Sequence, residues 1–163
     1  MKILISILFI LVAVAAAFIV WRVVRRHVLS VKQKNYEKIV SQAVKINLKK
    51  IKTKNFNGSK IKVNDLIGTP VALVWGMNVV VYGYEVPVSF LEKSEVIDIK
   101  QKLAELLNGY ADKSHQNGIQ GHYPFVVSDM WSRVGKLYIE ISFLINEATV
   151  EYLHDVRKLE NLD

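Results

Sequence analysis

The residues of this chain that could do chemistry are its histidines and the carboxylates near them. The histidines are His27, His115, His122 and His154. His115 and His122 share the polar segment ADKSHQNGIQGH, residues 111 to 122, with Asp112. Two histidines and a carboxylate could ligate a divalent metal. Because their spacing matches no compact ligand motif, we interpret the segment as a polar loop and predict no metal site.

A second possible constellation is a pair of carboxylates, Asp129 and Glu140, on or beside predicted strands. Such a pair can perform acid–base chemistry, but strand carboxylates that face outward are commonly just solvated. The segment GIQGH lacks the Lys and the helix of a phosphate-binding loop, and no serine lies in a catalytic motif. The chain has no cysteine, which excludes disulfides, thiolate zinc sites and cysteine nucleophiles. We therefore predict no catalytic residue, no cofactor and no enzymatic activity.

The elements that would position these side chains lie in a predicted α+β domain, residues 59 to 163. TPVALVWGMNVVVYGYEVPV, residues 69 to 88, predicts a hairpin around Gly76, with Pro87 at a strand end. Ser94 predicts the N-cap of a helix over about residues 95 to 108, with Gly109 as its stop.

Two further strands and a closing helix complete the predicted domain. YPFVVSD and KLYIEISFLIN are joined through MWSRVG, and a helix follows over residues 147 to 160. We expect a small sheet with helices over one face. Period-two alternation places Ile139 and Ile141 in the core and Tyr138 and Leu144 on the other side. A partly exposed Tyr138 and Leu144 would form a contact patch, so we predict self-association there.

The first 21 residues predict a transmembrane anchor. Residues 3 to 21, ILISILFILVAVAAAFIVW, contain no charge, Pro or Gly. At a rise of about 1.5 Å per residue they span the roughly 30 Å hydrocarbon core of a bilayer. A secretory signal has an apolar core of only about 7–15 residues behind a basic segment. We therefore predict retention, although Ala15-Ala16-Ala17 resembles a cleavage site.

Flanking charge predicts the orientation of this anchor. Lys2 precedes the span, whereas Arg22, Arg25 and Arg26 follow it directly, and Trp21 suits the membrane interface. Because positive flanks stay in the cytoplasm, we expect a single-pass protein of the cell inner membrane with a cytoplasmic C-terminal domain. A short N-terminal tail gives this rule little to compare, so a domain outside the cytoplasm stays open.

Residues 22 to 58 predict a basic, amphipathic juxtamembrane helix. Between residues 22 and 62 the chain has 13 Lys and Arg against one acid, whereas residues 63 to 163 have 8 against 14. The predicted membrane-interface residues are Trp21, Arg22, Arg25, Arg26, Lys34, Lys38, Lys45, Lys49 and Lys52. The lysines form one stripe, which indicates either a solvated face or attraction to an anionic inner leaflet of about 1 kcal/mol per base. Nucleic-acid binding is not expected, because the interleaved aromatic residues that stack on bases are missing.

Residues 95 to 160 resemble the cytoplasmic C-terminal domain of cation diffusion facilitators. The resemblance rests on the helix IDIKQKLAELLNGY, the turn with Arg133 and Gly135, the strand from Leu137 to Phe143, and His154 on the last helix. It implies that fold and a tendency to dimerise. Metal-binding members have histidines where this chain has Ser128 and Ser142, and the transport helices of that family are absent, so it implies no metal site.

Three functions follow from these features. The first is a membrane-tethered, non-catalytic module at the cytoplasmic face that forms homo-oligomers or binds a membrane protein partner. The second is a single-pass subunit of an envelope secretion or conjugation machine, with its domain outside the cytoplasm. The third, a metal-responsive regulator, rests on the histidines alone. The first is our prediction, and membrane topology separates it from the second.

Overall fold

The structure is a computed structural model that describes residues 2–61, 66–71 and 78–160. Within these ranges, side chains are described except for those of residues 2–13, 25–27, 29–30 and 159–160. The chain forms two compact units, Met1–Asn35 and Tyr36–Asp163. The predicted boundaries at residues 21 and 58 therefore differ from the boundary between the two units.

The first unit is helical and belongs to helix α1, Lys2–Leu48. Its described apolar side chains include Phe18, Ile19 and Val23, which are more than half exposed, and Val28 and Val31, which are each 46% exposed. No helix within the described residues has an apolar stretch long enough to cross a membrane. Most of the predicted anchor, residues 1 to 13, lies outside the described side chains, as do the interface residues Arg25 and Arg26.

The second half of α1 is amphipathic, as its sequence pattern predicts. Val40, Ala43, Val44 and Leu48 are fully buried. The helix ends at Leu48, ten residues before the predicted end at residue 58, and the backbone at Gly58 packs against this end. A Cβ on Gly58 would lie 1.8 Å from the Leu48 carbonyl oxygen. The predicted continuation of the helix to residue 58 is therefore wrong.

The four strands of the described chain form an antiparallel sheet in the order β1-β2-β4-β3. They are β1, Thr69–Pro70; β2, Val81–Pro87; β3, Phe125–Arg133; and β4, Lys136–Phe143. The predicted antiparallel pairing of residues 69 to 88 is confirmed, while its turn at Gly76 lies outside the described residues. β3 and β4 meet in a two-residue turn in which Val134 and Gly135 have φ of 48° and 73°. Such a two-residue turn matches the right-handed twist of a hairpin. β3 therefore runs on to Arg133, beyond the predicted strand end at Asp129.

Helix α2, Lys93–Ser114, is longer than predicted at both ends. Glu92, not Ser94, is its N-cap, in a capping box with Glu95. Gly109 does not stop it, because Leu107 and Ala111 on either side continue the buried stripe. The helix ends at His115, which adopts the left-handed conformation with φ of 52°.

Helix α3, Glu147–Glu160, has the predicted bounds but packs on the other face of the sheet. Ile139 and Ile141 face α1 and α2 in the main core, as predicted. Val81 pairs with Ser142, so it lies on the opposite face, where it packs against Tyr152 of α3. The α+β class is confirmed, but the expectation of helices over one face is wrong. The Glu140 and Ser142 side of β4 has a polar pattern, and Val79 and Val81 supply the apolar surface that α3 covers.

The two glycines Gly58 and Gly109 should respond to the same substitution with opposite signs. Gly58→Ala should destabilise the chain by about 1–3 kcal/mol, because its Cβ would overlap the Leu48 carbonyl. Gly109→Ala should stabilise it by about 0.5–1 kcal/mol, because Gly109 is an exposed helical position where a Cβ meets nothing within 4 Å. Denaturant unfolding of both variants measures this. A loss of stability in Gly109→Ala would contradict the continuous α2 helix.

Candidate interaction surface

A groove of about 700 Å³ lies along the first half of β3, with α2 lining one side and α3 the other. We call it the edge groove. Its apolar lining includes Ile97 and Ala104 of α2, Val126 of β3 and Val150 of α3. These four side chains are exposed or half-buried, and Ile97 is 49% exposed. The edge groove therefore presents accessible apolar surface rather than a closed core.

The charged groups around the edge groove are basic. They are Lys100 of α2 and Arg157 of α3, and the lining also holds two histidines, His122 before β3 and His154 of α3. None of the described residues that line the groove is Asp or Glu. Because residues 63 to 163 hold 14 acids against 8 bases, this basic lining departs from the balance of its own domain. The edge groove therefore favours anionic groups.

The floor of the edge groove is an open sheet edge. The Phe143 N–H donates to the Val80 carbonyl on the β2 side at 2.9 Å, so odd-numbered residues of β4 bond toward β2. Their partners Phe125 and Val127 in β3 consequently direct their N–H and C=O groups away from β4. Within the described chain, β3 has no strand on that side. Backbone donors and acceptors of residues 125 and 127 thus point into the groove.

Each wall of the groove is held by its own contacts with the sheet. Leu103 and Leu107 anchor α2 in the main core, and the Tyr110 ring lies 6.1 Å from that of Phe125. At the start of α3, the Asn146 Oδ1 accepts the Thr149 N–H at 2.9 Å, which is an N-cap. The Thr149 Oγ1 accepts the Val80 N–H at 3.0 Å. These bonds tie α3 to the sheet, so both walls are fixed relative to β3.

The structure separates the histidines that the sequence placed in one loop. His115 is the C-cap of α2, and His122 follows a short 3₁₀ turn, Ile119–Gly121. His122 lines the edge groove together with His154, which the sequence treated separately. Among the described residues, no three His, Asp or Glu side chains come together as a metal site would require. His27 lies outside the described side chains.

The predicted carboxylate pair is brought together on the α3 face of the sheet. Asp129 and Glu140 are direct partners across β3 and β4. Burial, and then the charge of Asp129, raises the pKa of Glu140, while a hydrogen bond from Tyr152 opposes that shift. Burial and the nearby Glu140 raise the pKa of Tyr152 to about 12, so its hydroxyl stays a donor. The hydrogen bond from Tyr152 to Glu140 joins α3 to β4 beside this half-buried pair.

Ser142, on the same face, is completely buried, and its hydroxyl has no hydrogen-bond partner among the described residues. Ser128 instead donates to the Glu140 carbonyl at 3.2 Å. Neither serine lies in a cluster of groups that could activate it as a nucleophile.

Glu140 should make stability depend on pH. A carboxyl with a raised pKa holds its proton more tightly in the folded state, so its favourable contribution is complete below its ordinary value of 4.5 and is lost as pH rises through the raised pKa. Glu140→Gln should therefore raise the melting temperature near neutral pH by roughly 2–4 °C, and by less as the pH falls toward about 4. Thermal unfolding at several pH values measures this.

The control is Glu151→Gln, the same charge change at an exposed position of α3. It should give no gain that depends on pH. A loss of stability in Glu140→Gln near neutral pH would show that the ionised carboxylate stabilises the fold, contrary to this account.

The predicted self-association residues are not both accessible. Leu144 is only 1% exposed, so the expectation that it forms a partly exposed patch is wrong. It follows β4 and is buried because its N–H donates to Pro124 and its carbonyl accepts from Ile119, which fold a loop over it. Tyr138 is half-buried and stacks on Trp131 at 5.2 Å between ring centroids. Self-association itself stays a prediction.

The predicted lysine stripe is only partly helical. Lys38 and Lys45 lie on α1, and with Lys49 they line a shallow groove of about 450 Å³. Lys49 and Lys52 lie beyond the helix end, and Lys52 forms an isolated β-bridge with Asn57. Lys34, together with Trp21 and Arg22, belongs to the first unit. The continuous five-lysine helical stripe is therefore wrong.

Sequence reasoning missed the edge groove. One signal was present in the sequence. Ile97 is apolar, but at helical spacing it does not fall on the buried face of α2 that contains Val96 and Ile99. The rest depends on α3 packing on the second face, which the polar pattern of β4 concealed. Comparison with protein-family models, with curated proteins and with solved structures gives no match for this chain.

Proposed function

We propose that this chain is a single-pass, membrane-anchored and non-catalytic interaction module, whose folded unit at the cytoplasmic face binds a protein partner through the edge groove. The observation that carries the proposal is an accessible apolar groove with a basic lining on an open strand edge. Such a surface suits binding of a partner, because its accessible side chains include apolar groups from both helices and one exposed cation, Arg157.

The anchor is supported by the composition of the first unit. Residues 3 to 21 are apolar except for Ser6 and carry no charge, and the described side chains Phe18, Val20 and Trp21 are all more than half exposed. A helix with apolar residues around its whole circumference is typical of a lipid environment. The excess of Arg and Lys after this segment supports a cytoplasmic location of the folded unit.

The resemblance to the cytoplasmic domain of cation diffusion facilitators remains part of this proposal. The order α2, β3, β4, α3 supports it, since it is the helix, strand, strand, helix order on which the resemblance rests. It would add a tendency to associate in pairs, without metal chemistry.

Topology can be tested with single cysteines, because the chain has none of its own. Gly109→Cys is suitable, since this exposed position leaves free space around a side chain. In intact bacteria that express the full chain, we expect retention in carbonate-washed membranes and no reaction with a membrane-impermeant thiol reagent. Permeabilised cells should give full labelling.

Release by carbonate would contradict the anchor. Labelling in intact cells would contradict the cytoplasmic location and favour the subunit of an envelope machine. The unsubstituted chain controls for background labelling.

The lysines of the α1 region should hold the folded unit near anionic lipid. Gln42, exposed beside Lys38 and Lys45, can be replaced by Cys and labelled with a polarity-sensitive dye. In the full chain reconstituted into anionic liposomes, we expect bluer emission than in neutral liposomes. The difference should fall at high salt, since the Debye length shrinks from about 8 Å at physiological ionic strength to about 3 Å at 1 M.

Replacing Lys38, Lys45 and Lys49 by Gln should remove at least half of this difference. The matched control replaces three of the four α2 lysines, Lys93, Lys102 and Lys113, by Gln, which changes the net charge equally. Equal emission in both lipids, or equal effects of the two triple variants, would show that the lysines are a solvated face.

A further inference from the structure

We propose that the edge groove binds a short, extended peptide segment of a partner, apolar with acidic flanks, which adds to the sheet as a fifth strand beside β3. This inference rests on the interaction function proposed above and names the class of partner. The four-stranded sheet ends at β3, whose pairing with β4 leaves its other side open among the described residues.

The first argument is the direction of the backbone. The register places Phe125 opposite Phe143 and Val127 opposite Ile141, and these β4 residues bond toward β2. Phe125 and Val127 therefore offer their N–H and C=O groups to the groove, at the two-residue spacing that an added strand requires. Phe125 and Val127 are only 2% and 7% exposed as whole residues, so these backbone groups lie at the bottom of the groove, where an extended peptide gains main-chain hydrogen bonds by pairing with them.

The second argument is the limited length of the open edge. The register shifts between Val127 and Asp129, which is a β-bulge. Past the bulge, Met130 is the partner of Ile139, so its N–H also points outward, but the Asp129 carboxylate accepts it at 2.7 Å. Asp129 thus occupies the next donor along the edge. An added strand is confined to residues 125–127 and the segment before them, so the bound segment is short.

The third argument is the chemistry of the two walls. Successive side chains of an added strand point alternately to the two faces of the sheet. One face leads to Ile97 and Ala104 of α2, and the other leads to Val150 of α3. Arg157 of α3 adds an exposed cation to this lining. An apolar centre with acidic flanks therefore complements the groove, and a basic segment does not.

The probe is a synthetic, fluorescein-labelled hexapeptide, Glu-Val-Ile-Val-Glu-Glu, titrated against the full chain in detergent micelles by fluorescence anisotropy. We expect saturable binding below about 1 mM, the weak end of specific affinities. A peptide with Lys in place of each Glu should bind at least tenfold more weakly. A peptide with N-methyl groups on alternate residues should also bind at least tenfold more weakly, because it cannot form the hydrogen bonds of a paired strand.

Two variants of the protein test the backbone argument and the charge argument separately. Val127→Pro removes an outward N–H that β4 does not use, and should abolish binding. Its matched control is Ser132→Pro, which removes an outward N–H of the same strand outside the groove, because Ser132 is the partner of Leu137. Arg157→Glu changes an exposed residue of α3. It should weaken binding of the acidic peptide at least fivefold and strengthen binding of the basic peptide. This variant keeps the inference testable if Val127→Pro fails to fold.

Several outcomes would overturn the inference. They are no binding at 1 mM, equal binding of the acidic and basic peptides, and equal affinity of wild type and Arg157→Glu. Sedimentation of the full chain adds another: a dimer that Val127→Pro dissociates, without peptide binding, would assign the edge to a second copy of this chain. Membrane retention is measured independently, so a chain that is anchored but does not bind the peptide contradicts this inference alone.

Discussion

The fold depends on β4, the strand to which both β2 and β3 are hydrogen-bonded. Leu137, Ile139 and Ile141 are completely inaccessible on one face, and a shift of register by one residue would turn all of them away from the main core. Burial of these side chains therefore fixes which backbone groups of β4 face each neighbour. The same register determines that Phe125 and Val127 direct their backbone groups outward. The chemistry of the open edge is thus a consequence of core packing.

The second face of β4 is stabilised differently, because it carries polar groups under α3. Glu140 lies beside Asp129, and the hydrogen bond from Tyr152 compensates part of the cost of its burial. The buried Ser142 hydroxyl, without a partner among the described residues, adds a further cost. Packing of Tyr152 against Val79 and Val81 offsets these costs. This face therefore holds α3 by fewer apolar contacts than hold α1 and α2 on the other.

How far the sequence predicted this structure depends on whether local pattern or distant packing decides each feature. The alternation in β4 and the apolar period of α3 were sufficient to predict these two elements, because each is a continuous pattern within one element. Gly109 was misleading as a helix stop, since the buried Leu107 and Ala111 outweigh an exposed glycine that costs about 1 kcal/mol. The face that α3 covers could not be predicted, because it depends on Val79 and Val81, far away in sequence. The edge groove depends on that placement.

The two edges of the sheet differ in how they are protected, and the difference bears on function. β1 is two residues long and ends in Pro70, which has no N–H, so it offers little to a further strand. On the opposite edge, the bulge and the Asp129 carboxylate protect the second half of β3. The first half has neither device, and it is the part that lies between two apolar, basic walls. An unprotected edge normally favours aggregation, and here the unprotected part is limited to three residues inside a groove, which restricts pairing with another chain.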